Sequence, residues 1–218
     1  MSTLADPSTP DCQRLRIRFR KTGDARWISH RDLMRAVERL CRRAGLKPRM
    51  SEGFHPKPKL SFPSALALGI EGLDEVMELQ LVEPVEPAEL ARRLNAFAPP
   101  GLTVTAATAL APGERKTKIR SMQYQFPVPD QWRAHARTAI ENMKAATTLP
   151  IYRDGRQHPI DILANLASIE FSNGVLYFRL RATDQAAARP RDLLETLGLR
   201  DLEQQGQFLT RSNVEVVS

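Results

Sequence analysis

Residues 14 to 20 read Arg-Leu-Arg-Ile-Arg-Phe-Arg, a strict alternation that predicts a β-strand. Successive strand side chains point to opposite faces. Leu15, Ile17 and Phe19 therefore share a buried face, and Arg14, Arg16, Arg18 and Arg20 share the other. An ordinary solvated strand mixes Thr, Lys, Glu and Gln on its wet side. Four arginines in a row repel one another unless something anionic lies across them, so this face is a candidate polyanion contact.

A helix follows. Ser29 and Asp32 have the spacing of a capping box. Leu33, Val37, Leu40, Cys41 and Ala44 then recur at helical spacing, with Met34 and Ala36 beside them. The run predicts about four helical turns, with Gly45 placed for a left-handed C-terminal residue. The outer face carries Arg31, Arg35, Arg39, Arg42 and Arg43, relieved by Glu38, which is spaced to pair with Arg42. Such a face can be plain solvation. The choice of Arg over Lys favours forked contact with phosphate.

The third feature is Gly53-Phe54-His55-Pro56-Lys57-Pro58-Lys59-Leu60-Ser61-Phe62-Pro63. Alternate prolines deny a helix and keep the preceding residues extended. Lys57 and Lys59 then point the same way, flanked by Phe54 and Phe62. A stiff basic loop with aromatic edges suits a phosphate chain; equally, its phenylalanines could plug the core. His55 is of the residue type that most often serves as general acid or base, although a loop histidine more often only hydrogen-bonds. The expected nucleic-acid contacts are thus Arg14, Arg16, Arg18, Arg20, Lys21, Arg31, Arg35, Arg39, Arg42, His55, Lys57 and Lys59.

Charge supports an acidic partner. The net charge is +7 over 218 residues, and it is concentrated: residues 14–59 hold 15 Lys and Arg against 4 Asp and Glu, whereas residues 60–114 hold 2 against 8. A focused basic field steers polyanions and makes their binding depend on salt. No apolar run approaches the roughly 20 residues that span a bilayer. The start, MSTLADPSTPDC, has neither the charged end nor the apolar stretch of a targeting signal. The 2 cysteines, Cys12 and Cys41, read as a free thiol and a core residue. They imply a reducing, cytoplasmic setting and cannot by themselves build a zinc site or an iron–sulfur cluster. No metal or cofactor is expected.

Taken in order, the chain predicts a disordered leader at 1–12 and the opening strand and helix. A strand follows at Lys47–Glu52, another at Glu75–Val82, a helix at Glu86–Phe97 and a strand at Leu102–Leu110. This βαββαβ order is ferredoxin-like, with helices on one sheet face and the other left open, as in sheets that bind single-stranded RNA. It defines an N-terminal domain at 13–111 and a linker at 112–120. A C-terminal domain at 121–218 has a strand at Gln123–Val128 and a helix at Gln131–Ala146. A turn at Asp154-Gly155-Arg156 and an Asn173-Gly174 hairpin turn follow. A helix at Arg189–Leu197 and a strand at Gln207–Val217 end the chain. The expected fold is α+β, two ferredoxin-like units in tandem with antiparallel sheets.

The stretches Lys21-Thr22-Gly23, Trp27-Ile28-Ser29-His30-Arg31-Asp32-Leu33 and Ser51-Glu52-Gly53-Phe54-His55-Pro56-Lys57-Pro58-Lys59-Leu60-Ser61-Phe62 resemble the radical SAM-linked protein family. This is a bacterial domain of unknown function fused to, or encoded beside, radical S-adenosylmethionine enzymes. The resemblance covers Leu15 to about Val217. It implies a radical SAM enzyme as partner and, from gene neighbourhoods, a setting in ribosome and RNA processing. It supplies no reaction, and the radical enzymes' three-cysteine motif is absent here.

Three functions follow. The first is an accessory protein that binds RNA or a ribonucleoprotein, or delivers an RNA or ribosomal substrate to a radical SAM enzyme. The second is a metal-independent RNA-processing or RNA-modifying enzyme, with His30 or His55 as acid–base and Lys57 stabilising an oxyanion. The third is a protein-docking partner of the radical enzyme, whose basic patch meets an acidic surface. No membrane partner is expected, and the oligomeric state is left open.

Overall fold

The structure, a computed structural model, describes residues 12–153, 158–183 and 187–217. The expected leader, except Cys12, and the turn at 154–156 lie outside those residues. The fold is α+β, with several helices and a mostly antiparallel sheet. The chain divides into two compact units, residues 1–68 with 74–117, and residues 69–73 with 118–218.

In the first unit, β1 spans Gln13–Lys21, α1 His30–Arg43, β2 Leu60–Ser61, α2 Pro87–Asn95 and β4 Leu102–Ala109; β3 spans Glu71–Leu81, of which residues 74–81 belong to this unit and 71–73 to the second. The strand order is β4-β1-β3, with β2 paired to β3. Leu15, Ile17 and Phe19 are 0–1% exposed and pack with Leu33, Val37, Leu40 and Cys41 of α1 and Leu90 and Leu94 of α2. Each such side chain contributes about 1.5–3 kcal/mol by leaving water. The start of α1 is built as its sequence requires: the Asp32 N–H donates to Ser29 Oγ at 3.2 Å. At its end Gly45 has a φ of 63°.

Burial pushes the Cys41 thiol up to about 11, so it stays protonated and unreactive. A maleimide at pH 8 is therefore expected to label Cys41 only through unfolding. Mass spectrometry of timed digests measures this, with denatured protein as the fully labelled control.

The strand expected at Lys47–Glu52 is replaced by two isolated bridges, Pro48 with Leu81 and Met50 with Pro58. The ladder residues are instead Leu60 and Ser61, opposite Leu79 and Glu78. The physical reason is a change of partner within five residues. Arg49 N–H donates to Gln80 O, but Arg49 O accepts from Lys59 N–H. Residues 47–49 thus lie along the end of β3, and the chain then leaves as a hairpin arm. Ser51 closes the arm: its N–H donates to Lys57 O at 2.7 Å, and its Oγ accepts from Lys57 N–H at 3.0 Å.

The second unit holds β5 (Lys118–Pro127), α3 (Arg133–Ala145), β6 (Pro150–Ile151), β7 (Ile160–Asp161), α4 (Ile162–Asn165), β8 (Leu166–Ser172), β9 (Val175–Arg181), α5 (Pro190–Thr196) and β10 (Thr210–Val217). Its strand order is β10-β5-β9-β8, antiparallel throughout. Glu71 and Gly72, the first residues of β3, pair in parallel with Thr210 and Arg211 of β10. Asn173 and Gly174, at φ 51° and 77°, join β8 to β9 as the expected two-residue turn. Asp130 opens a 3-10 turn through Trp132, and the α-helix proper starts at Arg133, two residues later than expected.

Candidate nucleic-acid interface

The alternation of β1 places Arg14, Arg16 and Arg18 together on the face opposite the core, but their charge is answered from within. Arg14 lies 3.2 Å from Glu78, Arg16 3.1 Å from Glu114 and Arg18 2.8 Å from Asp74. Arg14 also donates to the Glu114 carbonyl, and Arg16 Nε to Thr117 Oγ1 at 2.9 Å. The three arginine side chains are only 15–25% exposed. A guanidinium already engaged in this way has little left for a phosphate. Deleting any one carboxylate takes a paired acceptor from a largely buried cation, a cost of about 1–3 kcal/mol. Of the row, only Arg20 is exposed.

Glu78 is the hub of these contacts. Burial alone pushes its carboxyl up. The Thr117 hydroxyl and N–H and the Arg14 guanidinium outweigh burial and hold it below 4.5. A carboxyl lowered by folding stabilises the protein above its ordinary pKa, and the stabilisation is lost as pH falls through the lower native value. Melting temperature is therefore expected to drop on acidification below about pH 4.5. Glu78→Gln should flatten that part of the profile, as calorimetry across pH would show.

Lys21 is a correction to the expected contacts. It is 1% exposed, because the alternation that buries Leu15, Ile17 and Phe19 carries Lys21 to the same face. Its Nζ donates to Ile28 O at 2.7 Å and to Arg26 O at 3.4 Å. It ties the 23–28 loop to the end of β1 and is closed to a ligand.

What remains open on this face is a cleft of about 450 Å³ lined by Arg14, Lys59, Leu60, Ser61, Glu78, Gln80 and Lys116. Lys59 and Lys116 have no ion-pair partner among the described residues. Since Glu78 is committed to Arg14 and Thr117, the cleft presents two free ammonium groups beside a hydroxyl and an amide. It can hold a phosphate or another compact oxyanion. Lys116 is absent from the expected contacts because it sits in what reads as a linker. The run Arg115-Lys116-Thr117-Lys118 was the available signal.

A second basic surface lies on α1, where Arg31, Arg35, Arg39, Arg42 and Arg43 are all exposed. Arg35 pairs with Asp32 at 3.4 Å, and Arg43 stacks over the Phe97 ring at 5.3 Å. Phe62 plugs the core, edge-on to Phe19 at 5.9 Å and to His30 at 5.3 Å. That contact ties the foot of the arm to the first residue of α1. On the arm itself His55 and Lys57 are exposed, and Phe54 is 102% exposed. Neither His30 nor His55 has a hydrogen-bonded acid or base beside it among the described residues. No group of three or more His, Cys, Asp or Glu able to hold a metal is found among the described residues, nor any helix long and apolar enough to cross a membrane.

A family model described as "Uncharacterized protein conserved in bacteria (DUF2344)" matches residues 14–190. No curated protein matches the chain. Among solved structures, an unknown protein from Galdieria sulphuraria is 12% identical. It covers 95% of this chain and 100% of its own length at a TM-score of 0.30. A "putative glycine cleavage system transcriptional repressor" is 10% identical, covering 95% and 99% at a TM-score of 0.25. Likenesses this distant carry no functional argument.

Proposed function

The chain belongs to the DUF2344 family of bacterial proteins, and on that premise we propose that it is a binding protein for single-stranded RNA that serves a radical SAM enzyme. The observation that carries RNA binding is the cleft in which Lys59 and Lys116 have no ion-pair partner among the described residues. A phosphate seated there gains two charge-assisted contacts without displacing an internal ion pair. Lys57, one strand repeat beyond Lys59, extends the track along the arm. The exposed arginines of α1 add a sequence-independent field. The ion-paired arginines of β1 act as the frame of the cleft.

The radical SAM connection rests on the resemblance at residues 21–33 and 51–62, and co-purification with such an enzyme after nuclease treatment tests it. We also read each unit as ferredoxin-like. The orders β4-β1-β3-β2 and β10-β5-β9-β8 support this, each being the order expected of a βαββαβ unit. A catalytic role draws no support from His30 or His55, since neither has a hydrogen-bonded acid or base beside it among the described residues. The RNA-binding reading is tested by filter binding of single-stranded RNA across a salt series. Absence of salt-dependent binding by the wild-type protein would sink it.

A further inference from the structure

The arm carries an aromatic side chain that the fold does not use. Phe54 stands at the tip with its ring wholly in water, a costly position for a phenyl group. The backbone beneath it is fixed: Ser51 brackets Lys57 with two hydrogen bonds, and Gly53, at a φ of 117°, turns the chain where an L side chain would be strained. We propose that Phe54 is a stacking platform for an unpaired base whose neighbouring phosphates lie along Lys57 and Lys59. This role rests on the RNA-binding reading above.

Three observations favour a base over a pocket in a protein. First, a ring that anchors a protein interface is encircled by contacts that exclude water. Here Glu52, Gly53, His55 and Pro56 are all exposed and mostly polar or small. Second, the ring is bare, as stacking requires, and every nucleobase offers a matching π-face. Third, Lys57 and Lys59 are two residues apart on an extended stretch, so both ammonium groups can follow one strand leading from the tip towards the cleft. Phe62, the other aromatic of the motif, is excluded because it is packed on Phe19 and His30.

The test uses the full chain and an oligouridylate of about twelve nucleotides, near the size one such site covers. Phe54→Ala is expected to weaken binding roughly five- to a hundred-fold while leaving the salt slope unchanged. Lys57→Ala should instead lower the slope by about 0.7. In Phe54→Trp the added fluorescence, taken as the difference from wild type, should be quenched by the oligomer. A blunt RNA duplex, whose bases are already stacked, should bind wild type and Phe54→Ala alike. Salt-dependent binding that Phe54→Ala leaves intact would overturn the stacking role and leave RNA binding standing. A wild type that fails to bind the oligomer would overturn both. Phe54 is fully exposed, so its variants are expected to melt with the wild type, which thermal denaturation checks.

Discussion

Replacing Lys59 and Lys116 together with alanine is expected to weaken single-stranded RNA binding about thirtyfold, from roughly 1 kcal/mol for each lost charge-assisted contact. The slope of log affinity against log salt should fall by about 1.4, or 0.7 for each phosphate contact with a single strand. Neither lysine has an ion-pair partner among the described residues, so the melting temperature should stay within a degree or two of wild type. The informative contrast is Arg16→Glu. It sets a carboxylate against Glu114 and Thr117, which now hold Arg16. Its expected effect is lost stability. Filter binding over a salt series, with melting curves of the same preparations, separates the two. Equal slopes for wild type and the double variant would place any bound polyanion away from the cleft.

Lys21→Ala is expected to destabilise the protein by roughly 2–4 kcal/mol. Removing the buried chain opens a cavity, and the Ile28 and Arg26 carbonyls lose a donor. Lys21→Met fills most of the volume and isolates the hydrogen-bonding part, about 1–3 kcal/mol. Urea denaturation gives both values. Where either variant folds, its RNA affinity should match wild type, because Lys21 is buried. A large loss of affinity with unchanged stability would show that Lys21 reaches a ligand after all.

How far the sequence could be read depended on the range of the cause. Local chemistry was legible. Ser29, Asp32 and Gly45 bracket α1 through contacts within a turn, and Asn173-Gly174 sets the β8–β9 hairpin by its own backbone preference. Contacts across long separations were not. Nothing around Arg14, Arg16 or Arg18 reveals that Glu78, Glu114 and Asp74, 56 to 98 residues away, will answer them. That pairing leaves Arg14, Arg16 and Arg18 engaged by internal carboxylates. Lys21 was legible and misread, since the alternation used for Leu15 to Phe19 already placed it inside. The strand expected at Lys47–Glu52 failed for another reason. Extended backbone was rightly anticipated, but whether it joins a ladder depends on partners as distant as Gln80 and Leu81.

The foot of the arm is bonded into the sheet edge at three places: Lys47 O accepts from Val82 N–H, Arg49 N–H donates to Gln80 O, and Lys59 O accepts from Gln80 N–H. Tension or damping applied at the tip therefore has a mechanical path into the last turnings of β3 instead of dying out in a slack connection. The amide protons of Gln80 and Val82 become remote gauges of what the arm is holding. Their exchange with solvent should slow when the tip is occupied, although neither residue is touched.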